Sequence, residues 1–109
     1  MKIGILGCGY RCHDKLDERL ESWFSLQTKY NMVFSFVSAQ FKEYSEMGEE
    51  YNNEETELIL KQYLQLKYLE ISDKPLVEAD VRNLALKHLL NEKCDIIWLL
   101  DLSDEFYTE

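Results

Sequence analysis

Cysteine is scarce and odd in number, with only Cys8, Cys12 and Cys94 in the chain. That count does not make a disulfide scaffold and suits a reducing compartment, so a cytoplasmic location is expected. No apolar run approaches the roughly 18 residues of a membrane span. The N-terminus has one lysine and then a short apolar run broken by Gly4, Gly7 and Gly9, which is not a secretory signal. Basic residues are also few: 12 stand against 21 acidic ones, a formal net charge of −9. Nucleic acid and anionic membranes need a basic partner, so neither is expected. A small anionic ligand stays open, because backbone amides and a metal hold phosphates with few lysines. Internal repeats, low-complexity tracts and linkers are missing as well, and a single domain is expected over residues 1–109.

What is present suffices for a core. Hydrophobic residues make up 46% of the chain and aromatics 13%, a composition that disordered chains do not have. Lys2 to Cys8 is a short apolar run ending in glycine, the pattern of a central parallel strand. Asp14 to Tyr30 reads as a helix with Leu16, Leu20, Trp23 and Phe24 on one stripe, and Asp14 as its cap. Val33 to Val37 is β-branched and aromatic, a second strand. Residues 39–53 carry Glu43, Glu46, Glu49 and Glu50 and read as a solvated loop. Asn53 is placed to cap a helix running to about Leu66, with Leu58, Ile59, Tyr63 and Leu66 inward.

Tyr68 to Ile71 is a weak strand signal that equally extends the helix before it. Pro75 suits a first helical position, and residues 76–92 form the clearest helix, with Val77, Val81, Leu84, Ala85, His88 and Leu89 on one face. Cys94 to Asp101 is the strongest strand, an apolar run that ends in a carboxylate. This alternation implies an α/β fold: a Rossmann-like, mainly parallel sheet with helices on both faces. The strands at 2–8 and 94–101 are expected to be adjacent and central. Ligands of such sheets bind beyond the carboxyl ends of the strands. Three segments should meet there: Gly7 to Arg11, Val37 to Gln40, and Asp101 to Thr108.

Three chemistries are suggested near the first turn. Cys8-Gly9-Tyr10-Arg11-Cys12-His13 is one residue too long for a haem-attachment motif, and His88 and Cys94 are the only spare ligands for zinc. The better reading has Cys8 ending a strand and Cys12 starting a loop. Gly7 and Gly9 could serve a dinucleotide turn, but the third glycine position falls on Cys12. The second strand also ends Val37-Ser38-Ala39-Gln40, without the acid that grips a ribose.

The far end of the chain is more specific. Arg82-Asn83 opens a helix that leads into Asp95-Ile96-Ile97-Trp98-Leu99-Leu100-Asp101-Leu102-Ser103-Asp104-Glu105-Phe106-Tyr107-Thr108. This arrangement resembles family 2 glycosyltransferases, in which an Arg-Asn pair precedes a strand ending in an Asp-x-Asp type motif. Gly9-Tyr10 stands where that family has a loop against the nucleotide base. The motif here, Asp101 to Asp104, is one residue wider than Asp-x-Asp. The resemblance implies the N-terminal half of an A-type nucleotide-diphospho-sugar transferase fold, with an unassigned acceptor and catalytic base. It implies donor binding by Gly9, Tyr10, Ser38, Arg82 and Asp101, and a divalent metal, Mn²⁺ or Mg²⁺, on Asp101 and Asp104.

Those carboxylates suit the chemistry, since hard cations choose carboxylate oxygens, often only one or two plus substrate phosphates. Arg82 is placed either to reach the pyrophosphate or to hold the acidic turn. The chain as read is incomplete, so self-association or a completing chain is expected, through apolar surface at Val33 to Val37 and Trp98 to Leu100. The alternatives are a dinucleotide module of the NAD type and a non-catalytic interaction domain using its sheet edge.

Overall fold

The structure, a computed structural model, describes residues 1–100. Four strands form one sheet: β1 (Lys2–Cys8), β2 (Asn31–Ser38), β3 (Tyr68–Ile71) and β4 (Ile96–Leu100). The helices are α1 (His13–Phe24), α2 (Lys42–Glu46), α3 (Glu54–Leu60) and α4 (Glu78–Asn91), and a 3₁₀ turn, Ser25–Thr28, follows α1. The strand order is β3-β2-β1-β4, and each described pairing is parallel. β1 and β4 are adjacent, as expected, with Ile5 opposite Trp98 and Gly7 opposite Leu100. Only β1 of the two is interior; β4 stands last in the order among the described residues.

Strand alternation sends successive side chains to opposite layers. Ile5 of β1 and Met32, Phe34 and Phe36 of β2 pack with Leu16, Leu20, Trp23 and Phe24 of α1 and Leu60 of α3. Leu6 of β1 and Val33 and Val37 of β2 turn the other way, onto Val81, Ala85 and Leu89 of α4. The result is a three-layer α/β/α sandwich with helices on both faces. β2 is buried over Met32–Ser38 because both layers cover it. Val33 to Val37 is therefore interior and not an association surface, which corrects the expectation for that segment. At β4, by contrast, Trp98 is 49% exposed, and Ile96 and Leu99 are also exposed.

Two glycines of β1 serve packing. A Cβ on Gly4 would lie 2.9 Å from the Cys94 sulfur and 3.3 Å from Leu89, and one on Gly7 would lie 2.9 Å from Phe36 and 3.0 Å from Trp23. They let a helix layer approach the sheet on each side.

Several local readings are corrected. Helix α1 stops at Phe24 and tightens into the 3₁₀ turn, short of Tyr30. Its N-cap is Cys12, and Asp14 sits inside the first turn without capping it. Helix α3 ends at Leu60; Leu58 is 59% exposed, while Leu60 and Leu66 are buried. Helix α4 starts at Glu78, so Pro75 precedes it, and Val77, its N-cap, is exposed. Residues 39–53 are solvated in part: residues 42–44 and 46–50 are exposed, Glu43, Glu46, Glu49 and Glu50 among them. The segment also contains α2, the buried Ala39, Gln40 and Asn53, and a parallel bridge from Phe41 to Leu76. Among the described residues no helix is long and apolar enough to cross a membrane.

At the amino edge of the sheet the Glu92 carboxylate accepts hydrogen bonds from Lys2 Nζ (2.6 Å), Lys67 Nζ (2.5 Å) and the Tyr68 hydroxyl. Lys2, then Lys67 and Tyr68, hold the Glu92 carboxyl down to about 2 from its ordinary 4.5. A depressed carboxyl contributes stability above its ordinary value and loses it as pH falls through the folded value. Wild type should therefore lead Glu92→Gln in stability above about pH 5. That lead should shrink through the window from 4.5 to about 2. Urea denaturation of both proteins at stepped pH checks it, and a lead independent of pH would contradict it.

Candidate functional site

The carboxyl edge of the sheet holds a crevice of about 270 Å³ on the α4 side. Cys8, Gly9 and Tyr10 line it from the end of β1, Ala39, Phe41 and Tyr44 from the segment after β2, and Val81 from α4. Among the described residues no charged side chain lines it. The topology puts it there: α1 carries the chain from β1 to β2 on one face, and α4 carries it from β3 to β4 on the other. Strand order reverses between these crossovers, and such a reversal opens a crevice outside the strand ends. The stacked rings of Phe41 and Tyr44, 6.3 Å apart at 14°, form part of the wall. Phe41 is held at the sheet margin by Lys42 N–H donating to the Leu76 carbonyl (2.8 Å) and Leu76 N–H donating to the Gln40 carbonyl (3.0 Å).

The loop after β1 is tied down residue by residue. Gly9 N–H donates to the Val37 carbonyl (3.2 Å), which continues the strand pairing past Cys8. The Tyr10 hydroxyl accepts from Asn52 N–H (2.8 Å), and its ring lies 5.7 Å from that of Tyr51. Arg11 has φ 50°, a left-handed conformation that costs a non-glycine residue roughly 1–2 kcal/mol. Its N–H donates to Asn53 Oδ1 (2.9 Å), and Cys12 N–H donates to Thr56 Oγ1 (3.0 Å). Asn53 and Thr56 are both buried.

These ties bear on the alternative chemistries. A dinucleotide turn offers the amides entering its first helix to a pyrophosphate. Here the Arg11 and Cys12 amides are taken, and acidic Glu55 sits at the α1 start, 2.9 Å from His13 Nε2. Cys8 and Cys12 belong to opposite layers, Cys8 against the α4 side and Cys12 against the α1 side, so they do not form a ligand pair. Burial, opposed by the Thr56 hydrogen bond, pushes the Cys12 thiol up to about 11, away from the thiolate a metal needs. Among the described residues no three His, Cys, Asp or Glu side chains gather into a metal-binding group.

The expected site residues are thus distributed as follows. Gly9 and Tyr10 line the crevice. Ser38 is fully buried beside it, and its hydroxyl accepts from Asn53 Nδ2 (2.7 Å). Arg82 follows Val81 but is exposed, and its guanidinium pairs with Glu78 one turn earlier (2.9 Å). Asp101 and Asp104 lie outside the described residues; β4 is described to Leu100, opposite Gly7. Phe41 and Tyr44 were missed as wall residues, although two aromatics three apart in a polar segment are a signal of an anchored face. Asn53, missed in its bridging role, gave no local signal.

Comparison with known proteins finds no matching family model, no matching curated protein and no matching solved structure.

Proposed function

We propose that this chain is the nucleotide-sugar-binding part of a glycosyltransferase, with the base and ribose of a nucleotide diphospho-sugar in the carboxyl-edge crevice. The observation that carries the reading is the aromatic-walled crevice beyond the carboxyl ends of the strands, lined by no charged side chain among the described residues. An apolar cleft with rings at hand suits a planar base. The diphosphate needs a different environment. Arg11 pairs with Glu49 (3.5 Å) and Arg82 with Glu78, so these two cations are already matched by carboxylates. In a chain of net charge −9, a divalent metal on Asp101 and Asp104 is the economical counterion for phosphate.

The donor set fits a hard cation: two carboxylates, with the remaining coordination left to phosphate oxygens. When bound, Mn²⁺ or Mg²⁺ supplies Lewis-acid stabilisation of the departing diphosphate. The chain's own residues bind and orient: Tyr10, Phe41 and Tyr44 enclose the base, while Ser38 and Asn53 fix the walls.

A thermal-shift panel separates the readings. UDP with Mn²⁺ should raise the melting temperature by several degrees, since a ligand at 100 times its Kd adds about 2.7 kcal/mol. A rise with NAD without metal would transfer the assignment to a dinucleotide module. No rise with either would leave an interaction domain.

A further inference from the structure

We infer that Asn53 is a positioning residue that holds Tyr10 in the crevice wall by bolting the β1 loop to the end of β2. Asn53 occupies the N-cap position of α3, where an asparagine usually spends its side chain on the helix's free amides. Here it makes no such bond. Its carbonyl oxygen faces Arg11 N–H (2.9 Å), and its amide nitrogen faces Ser38 Oγ (2.7 Å). Arg11 lies 42 positions away along the chain, and the residue is 2% exposed. Both functions of the amide are used across the gap between the two strand ends that carry the crevice walls.

The consequence reaches Tyr10 through its neighbours. Arg11 is held left-handed, and that conformation sets the direction of the chain leaving Tyr10. Asn52, beside Asn53, donates its N–H to the Tyr10 hydroxyl, and Tyr51 packs on the Tyr10 ring. The Arg11–Glu49 pair and Gln40 Nε2 donating to the Glu49 carbonyl (2.9 Å) close the same circuit from the other wall. One short stretch, residues 49–53, therefore grips both sides of the crevice, with Asn53 as its buried centre.

Asn53→Leu keeps the size of the side chain and removes both hydrogen bonds. Ser35→Ala is the control: it removes an equally buried bond, from Ser35 Oγ to the Ala85 carbonyl (2.9 Å), inside the opposite layer. Amide exchange on the full chain is read first and needs no ligand. Arg11 N–H should exchange about tenfold faster in Asn53→Leu, with Leu6 and Phe36 amides unchanged, and should be unaffected by Ser35→Ala. Asn53→Asp should restore Arg11 protection, because its carboxylate still accepts from Arg11 and the Ser38 hydroxyl turns to donate. If Asn53→Leu does not fold, Ser38→Ala is read by the same exchange, and Arg11 should again lose protection. UDP affinity with Mn²⁺ should fall about tenfold in Asn53→Leu and stay within about twofold in Ser35→Ala. The affinity arm rests on the nucleotide-sugar reading; the exchange arm does not. A wild type that binds no UDP overturns that reading, whereas an unchanged Arg11 amide, or equal UDP binding by Asn53→Leu, overturns the role of Asn53.

Discussion

Trp23→Ala should cost about 3–5 kcal/mol, enough to leave this domain near the limit of folding. Trp23 is 1% exposed on α1 and lies over β1 where the strand has no side chain. Gly7 lets the indole sit against the backbone, its nearest ring atom 3.0 Å from where a Cβ would be. Once the indole is gone, Gly7 has nothing with which to fill the space, and the hole stays open. The same contact predicts non-additivity. Gly7→Ala in the wild type overpacks the Trp23 and Phe36 rings and should cost about 1–3 kcal/mol. In the Trp23→Ala background only the Phe36 contact remains (2.9 Å), and that ring has the vacated space to move into, so the added methyl should cost less than in the wild type, as expected of residues in contact. Urea denaturation followed by far-ultraviolet circular dichroism, on the four proteins of the cycle, measures both terms. Additive costs would show that Gly7 and Trp23 do not share the packing described.

The parts of the fold that the sequence made legible are those where burial is decided locally. Gly4 to Gly7 of β1 are buried between their sheet neighbours, and hydrophobicity marked both this strand and the run after Cys94, although Ile96, Trp98 and Leu99 of that run are exposed. Val81, Ala85 and Leu89 recur at helical spacing and do form the inner face of α4. Periodicity misled at α3. Leu66, expected inward, is buried, but the chain leaves the helix at Lys61; Leu58, also expected inward, is exposed, and the buried Leu60 was not on the expected face.

Tertiary decisions were not legible. Asn53 looked like a cap because its partners, Arg11 and Ser38, are distant in sequence. The acidic residues of the segment before it hid Phe41 and Tyr44, which pack because Leu76 pairs beside them. Arg82, expected to reach phosphate or the acidic turn, pairs with Glu78 one turn earlier in α4, and the acidic turn lies outside the described residues.

The second large effect concerns Asp101 and Asp104. Two carboxylates are few ligands for a cation, so the metal needs the diphosphate oxygens and the diphosphate needs the metal. Each should tighten the other by the same factor. Asp101→Asn keeps the shape of the side chain and deletes its charge, and Asp104→Asn does the same. Either change should lower Mn²⁺-dependent UDP affinity by about a hundredfold, or roughly 2.7 kcal/mol. Glu18→Gln, at an exposed position of α1 across the sheet from the crevice, should leave the metal dependence unchanged. A hundredfold loss shared by Glu18→Gln would point to general electrostatics in an acidic protein, and not to the carboxylates after β4.

Calorimetric titration of the wild-type chain with UDP, once in Mn²⁺ and once in chelator, tests the central claim most directly. A measurable Kd is expected in Mn²⁺, with loss of binding in chelator. Equal affinity in both conditions, or no binding in either, would contradict it.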